Sequence, residues 1–284
     1  MISAFTHSPW RLIKTAPAPG AWNMAVDEAL LESMRSSESL PVLRLYAWEP
    51  PCLSLGVAQP ASDVNQEDLR ARGWELVRRP TGGRAILHTD ELTYSVTGPH
   101  TEARLAGSVL ESYQRLSQAL LEALHLLKVP ARSDAEPAVP NGSDSKGPVC
   151  FEVPSNYEIT VQGKKLIGSA QARRKEGILQ HGSLPLYGDL RRITEVLQFE
   201  SDKEAAHISP RTMAAERLME RATTVEACLG TRISWDIAAQ AFVKAFQSIL
   251  NLELSLSDLT AQELERADQL VREKYNHPSW TERV

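Results

Sequence analysis

Three segments of the chain hold residues whose types and spacing could do chemistry. Cys150 stands in Gly147-Pro148-Val149-Cys150-Phe151-Glu152. A thiolate is a strong nucleophile toward activated carbonyls, and a neighbouring cation lowers its pKa. Arg78-Arg79-Pro80-Thr81-Gly82-Gly83-Arg84-Ala85-Ile86-Leu87-His88 places paired glycines in a loop between two expected strands. Such glycines let the backbone approach a ligand and aim N–H groups at it, while the arginines could hold a phosphate or an acidic carrier. Lys165 begins a third segment that runs through Gly168, Ser169 and Ala170, and a later strand carries His181, Gly182 and Ser183. Each piece has a bland alternative: a packed thiol, a tight turn with surface arginines, a close-packed sheet with a satisfied histidine. In one chain they make a candidate acyl-transfer site.

The elements that must position these residues follow from periodicity. Trp10 to Lys14 reads as a strand, and Asn23 to Met34 as a helix with Asn23 as its cap. Val42 to Tyr46 and Cys52 to Val57 read as strands split by Glu49-Pro50-Pro51, Asn65 to Arg72 as a short helix and Glu75 to Arg78 as a strand. Ala85 to His88 and Leu92 to Thr97 are expected to form a hairpin, and Ser108 to Leu127 a long helix. Asn156 to Val161, Lys165 to Arg173 and Gly177 to Leu186 read as three antiparallel strands, which would bring the small residues at 168–170 and 181–183 together. Asp189 to Leu197, Arg211 to Arg221, Ser234 to Leu250 and Leu259 to Tyr275 read as helices. The order predicts an α/β (α+β) fold: a mixed, largely antiparallel sheet flanked by helices. The proline-rich stretch from Val129 to Pro148 has no periodicity and is either a flap over the thiol or an inert surface loop.

Bulk properties exclude several classes. The chain has 284 residues and a net charge of −5, which argues against a nucleic-acid binder. No apolar run is long enough to span a bilayer, and Met1 to Trp10 shows no secretory pattern, so a cytoplasmic protein is expected. Cys52, Cys150 and Cys228 form no CxxC pair, metal cluster or disulfide framework. Cys52 and Cys228 read as small buried hydrophobes. The local basic clusters fit docking of small acidic partners.

Taken together, the run at 78–88, Lys165 with Gly168-Ser169-Ala170, and His181-Gly182-Ser183-Leu184 resemble the biotin/lipoate protein ligase and octanoyltransferase superfamily. Asn23 to Ala29 resembles its N-terminal helix, and Gly56 with Gln59 the loop that follows. The match covers roughly residues 8–200, with a weaker echo at Lys274-Tyr275 and Trp280. Ligases of this group usually carry a third glycine where Arg84 stands. The cysteine-dependent octanoyltransferases are more similar, with Gly-Gly-Arg-Ala and a cysteine before Phe-Glu.

The resemblance implies a class II synthetase-like catalytic domain over 8–200 and a helical extension over 201–284. It implies octanoyl transfer from octanoyl-acyl carrier protein through a Cys150 thioester to a lysine of an apo lipoyl-carrier domain, either glycine-cleavage H protein or 2-oxoacid dehydrogenase E2. Thioester exchange is nearly balanced, so no cofactor is implied. Cys150 and Lys165 would be catalytic, Lys165 lowering the thiol pKa or polarising the thioester. Arg78, Arg79, Thr81, Gly82, Gly83, Arg84, His88, Gly168, Ser169, Ala170, His181 and Gly182 would bind substrate, with no metal, membrane or nucleic-acid partner and a monomer as the default. Three alternatives stay open. An ATP-dependent lipoate or octanoate ligase would use Arg78, Arg79 and Lys165 on an adenylate phosphate; a lipoyl amidotransferase would share the cysteine chemistry; a non-catalytic acyl-binding module would not turn over. Either His88 or His181 could take a proton in the amide-forming step.

Overall fold

The computed structural model describes residues 5–134, 158–199 and 209–284. Cys150 and most of the 129–148 stretch lie outside the described residues. Strands β1 (Ser8–Lys14), β2 (Val42–Tyr46), β3 (Cys52–Leu55), β4 (Glu75–Arg78), β5 (Ile86–His88), β6 (Glu91–Gly98), β7 (Arg132–Asp134), β8 (Glu158–Val161), β9 (Lys164–Arg174), β10 (Gly177–Pro185) and β11 (Leu252–Leu256) form two sheets. The larger has the order β11-β1-β2-β6-β10-β9-β8-β7, and the smaller β4-β3-β5. Only β11-β1 and β1-β2 are parallel in the larger sheet, so it is mixed and largely antiparallel as expected. Helices are α1 (Gly20–Ser33), α2 (Gln66–Ala71), α3 (Val109–Leu126), α4 (Pro210–Arg221), α5 (Val225–Leu229), α6 (Trp235–Leu250), α7 (Ala261–Leu270) and α8 (Pro278–Thr281).

Strand alternation sorts the large sheet into two unlike faces. Leu43 and Leu45 of β2 and Leu92, Tyr94 and Val96 of β6 join the apolar stripes of α3 and α6 in one core. On the other face β2 presents Arg44, β6 presents Glu91, Thr93 and Ser95, and β10 presents His181 and Ser183. All six are buried. The register sets His181 beside Ser95 and Ser183 beside Thr93. Helix α1 and the smaller sheet cover most of this polar face and leave it little exposed.

A buried ion pair ties α1 to that face. Asp27 accepts from Arg44 Nη1 at 2.8 Å, and both side chains are 0% exposed. Ser95 Oγ donates to the same carboxylate at 2.8 Å and Tyr46 Oη at 3.0 Å. The second Arg44 nitrogen donates to Asn23 Oδ1 at 2.7 Å. Asn23 therefore does not cap α1, which starts three residues earlier with Pro19 at the cap position. Its amide instead donates to the carbonyls of Ala18 and Ala47. The helix end is met by Glu75, which accepts from Gly20 N at 2.8 Å and complements the positive end of the dipole. Gly20 is required there, because a Cβ would lie 2.3 Å from Cys52 Sγ.

Two further expectations are corrected. The segments around Ala85–His88 and Leu92–Thr97 form no hairpin: β5 pairs with β3, and β6 pairs with β2 and β10. The intervening Thr89-Asp90 offers neither glycine nor asparagine for a two-residue primed turn, and the chain changes sheets there. The C-terminal segment is not wholly helical either, since Leu252–Leu256 becomes the edge strand β11 along β1. Helix α7 passes into a wider turn over Val271–Tyr275. That turn sets Lys274 Nζ 2.6 Å from Glu28 of α1 and lets Tyr275 donate to the same carboxylate.

Removing one member of a fully buried pair leaves the other charge uncompensated. Arg44→Met is expected to cost about 3–5 kcal/mol in urea unfolding, and Arg44→Met with Asp27→Leu to recover most of that loss. Equal destabilisation of the single and double variants would contradict this account of the pair.

Candidate active site

The polar sheet face, α1, β3 and the glycine loop enclose a cavity of about 560 Å³, a size suited to a small-molecule moiety. Met24, Tyr46 and Trp48 supply apolar wall at its buried side, and Gly82, Gly83 and Arg84 lie at its more exposed side. Eleven of the residues expected at a site border it: Arg79, Gly82, Gly83, Arg84, His88, Lys165, Gly168, Ser169, Ala170, His181 and Gly182. Thr81 and Arg78 do not border it, and Cys150 is outside the described residues.

The small residues meet as anticipated. His181 pairs with Ala170, Gly182 with Ser169 and Ser183 with Gly168 across β10 and β9. Alternation then divides their roles. Gly168 and Ala170 share the cavity face with Ser183 and His181. Ser169 instead turns to the other layer, where its hydroxyl lies 2.8 Å from Tyr94 Oη. Gly182 makes room on that side too, since a Cβ would fall 2.7 Å from the Tyr94 ring and 2.6 Å from the Gly168 carbonyl oxygen. The glycine loop is fastened by its own arginine. Arg79 Nη2 donates to the carbonyls of Gly82 and Arg84, both at 2.8 Å, and Arg79 Nη1 to Ser54 O at 3.0 Å. Gly83 has φ of +95°, the left-handed region that favours glycine. Arg78 donates to the carbonyls of Gly56, Gln59 and Thr281, joining β4 to the C-terminal residues. Lys165 is buried, with Nζ 2.7 Å from Glu158 Oε1.

Two hydroxyl–histidine–carboxylate chains flank the cavity. In one, Ser54 Oγ lies 2.7 Å from His88 Nε2, and His88 Nδ1 lies 2.7 Å from Glu91 Oε1. Thr93 and Ser183 donate to the same Glu91 oxygen at 2.5 and 2.8 Å. Trp48 stacks on the His88 ring with centroids 3.9 Å apart. In the other, Thr81 Oγ1 lies 2.7 Å from His181 Nε2, and His181 Nδ1 lies 3.3 Å from Asp27 Oδ2. Burial pushes the Glu91 carboxyl upward, but His88 and the hydroxyls of Thr93 and Ser183 more than offset it and hold it below the usual range. Asp27 is likewise pushed up by burial and brought below its ordinary value by His181 and Arg44. Burial lowers His181, and its bond to Asp27 only partly resists that. Asp27, Arg44, Ser54, Glu91, Trp48 and Thr93 were not anticipated, and Ser183 was marked only as a small residue of its strand. Their one sequence signal is polar alternation, as in Glu91-Leu92-Thr93-Tyr94-Ser95, which in a sheet with one wet face marks the solvent side.

Cys52 behaves as a packing residue: it is buried, and burial raises its thiol well above the ordinary value. Among the described residues no group of three or more histidines, cysteines and carboxylates could hold a metal ion. No described helix is long and apolar enough to cross a membrane.

A family model described as the lipoyl protein ligase A/B catalytic domain matches residues 19–247. The chain belongs to this family. Among its relatives in the family, the octanoyltransferase LipM of Kyrpidia tusciae is 41% identical, over 96% of this chain and 98% of the relative. The octanoyltransferase LipM of Carboxydothermus hydrogenoformans is 39% identical over 95% and 97%. The family fold is seen in a bipartite lipoate protein ligase from Thermoplasma acidophilum, which superposes with a TM-score of 0.79 at 24% identity over 97% of each chain.

The buried groups set a graded response to acid. Asp27, Glu91 and His181 all have folded values below their unfolded ones, so each contributes stability at neutral pH that is lost as pH falls. The His181 share begins to go below its ordinary 6.5, and the carboxylate shares below 4.5 and 3.8. His181→Gln should therefore flatten the decline of the urea midpoint between pH 6.5 and about 5 and leave the later decline in place. Parallel curves for variant and wild type would contradict this assignment.

Proposed function

We propose that the protein is an octanoyltransferase of lipoate biosynthesis that carries octanoate from octanoyl-acyl carrier protein, as a thioester on Cys150, to a lysine of a lipoyl-carrier domain. The observation that carries this reading is the near full-length similarity to octanoyltransferases at about 40% identity. The cavity supports it. Its mainly apolar lining suits an unbranched acyl chain, and Gly168 and Ala170 keep one wall free of large side chains.

In the first half-reaction the Cys150 thiolate attacks the donor thioester and the carrier thiol leaves. Lys165, held by Glu158 at the cavity wall, supplies the positive charge that favours the thiolate and the developing oxyanion. Gly82 and Gly83 offer close backbone approach beside it. In the second half-reaction the amine of the acceptor lysine attacks the acyl-enzyme, and amide formation drives the transfer. Glycine-cleavage H protein and the lipoyl domains of 2-oxoacid dehydrogenase E2 are the acceptors that fit this chemistry. The catalytic unit spans 8–200 with 201–284 packed on it, and the protein works as a cytoplasmic monomer. Against an adenylating mechanism stands the use of Arg78 to hold the backbone carbonyls of Gly56, Val57, Gln59, Trp280 and Thr281 rather than a phosphate.

Intact mass after mixing with octanoyl-acyl carrier protein, without ATP, is expected to show a hydroxylamine-sensitive octanoyl adduct on the wild type and none on Cys150→Ala. Acceptor modification by Cys150→Ala should fall by at least about 10³-fold. Modification by both proteins that depends on ATP would make the enzyme a ligase.

A further inference from the structure

The sequence marks Lys274, Tyr275 and Trp280, yet none of residues 271–284 borders the cavity. We infer, on the reading that the cavity takes the acyl chain, that Trp280 is a positioning residue of acyl transfer. Through Arg78 it fixes the turn at 56–59 and the glycine loop as the rim of that cavity.

Trp280 and Arg78 grip each other's backbone. Trp280 Nε1 donates to the Arg78 carbonyl at 2.9 Å, and Arg78 Nε donates to the Trp280 carbonyl at 3.1 Å. From there the buried guanidinium reaches the rim, where Nη1 donates to the carbonyls of Gly56 at 2.8 Å and Gln59 at 2.6 Å. The turn it holds bears directly on the glycine loop. Val57 N donates to Thr81 O at 2.8 Å, and a Cβ on Gly56 would fall 1.9 Å from the Gly83 carbonyl oxygen. Arg283 Nη2 adds a second tie, donating to Val57 O at 3.0 Å. Ala58, Gln59, Gly82, Gly83 and Arg84, on these two segments, all border the cavity.

The Trp280 ring is itself held against α1. Lys274 Nζ lies 4.1 Å from its centroid. Tyr275 meets it edge-on, with centroids 6.2 Å apart and 82° between the planes. Both residues bond Glu28, one turn after Met24, which borders the cavity from α1. Two walls of the cavity, the helix and the glycine loop, are thus fastened to one segment outside it.

Fastening matters at this rim because Gly82 and Gly83 are exposed, and glycine has the widest backbone freedom. A rim ordered before substrate arrives spares the entropy of ordering it on binding. Loosening it therefore weakens substrate binding. Lys165 and Glu158 belong to β9 and β8, outside the fastened segments, so turnover at saturation should hold.

Trp280→Phe keeps an aromatic ring beside Lys274 and removes the donor to Arg78; Trp280→Ala removes both. Octanoyl transfer to a lipoyl domain of a 2-oxoacid dehydrogenase E2 is measured without ATP while octanoyl-acyl carrier protein is varied. Hydrogen exchange of the same proteins is followed by mass spectrometry. KM for the donor is expected to rise about 5-fold in Trp280→Phe, the effect of one hydrogen bond, with kcat within about 2-fold of wild type. Trp280→Ala should raise KM further. Peptides spanning 55–61 and 76–84 should exchange faster in both variants, and those of β9 and β10 at the wild-type rate. A variant that merely folds less well lowers kcat through its active fraction and leaves KM unchanged, and that result overturns the proposal. So does a raised KM with unchanged exchange at 55–61 and 76–84, which would make Trp280 a direct contact of the carrier. A wild type inactive without ATP overturns the acyl-transfer reading, whereas the exchange rates still decide whether Trp280 orders the rim.

Discussion

Burying an ionised carboxylate costs several kcal/mol unless donors and a counter-charge meet it, and this protein buries two beneath one face of its large sheet. Asp27 and Glu91 lie on the same side, and each gathers hydroxyls and a histidine around it. Much else follows from satisfying them. Arg44 must be on β2 and face α1, Ser95 and Thr93 must alternate with the apolar residues of β6, and a lid of helix and small sheet must exclude water. The cavity is what remains between that lid and the polar face.

The two carboxylates are satisfied differently. Asp27 has a guanidinium, so its charge is spent on structure: it joins α1 to the sheet and steadies His181, Thr81 and the loop of paired glycines. Among the described residues Glu91 is met by the hydroxyls of Thr93 and Ser183 and by the His88 imidazole rather than by a guanidinium. Both chains fix the geometry of the cavity wall. Lys165 and its partner Glu158, on the strands beyond Gly168, add a third charged group to the wall.

Much of this was legible before any coordinates. Strand periodicity foretold β2, β4 and the three-strand run β8-β9-β10, and hence the meeting of Gly168 and Ala170 with His181 and Ser183. The glycine loop, His88 and Lys165 were marked by residue type. What stayed hidden depended on contacts far apart in sequence. Ser54 looks like any small residue of a buried strand until β5 is seen to pair with β3 and bring His88 diagonally beside it. Glu91 and Thr93 alternate as a solvent face would, and only coverage by α1 and the smaller sheet makes them a buried one. Asn23 has the chemistry of a helix cap, yet Arg44 and two backbone groups claim its side chain. Strand β11 is short and largely exposed outside Leu252, so nothing in its own residues announces that β1 needs a parallel partner.

The central claim is that the buried, Arg44-compensated Asp27 holds His181 as a neutral structural ring against the polar sheet face. Nitrogen-15 NMR of the histidine side chains at neutral pH tests it most directly. The account predicts a His181 that stays neutral below its ordinary titration range. A His181 already cationic at pH 7 would contradict it.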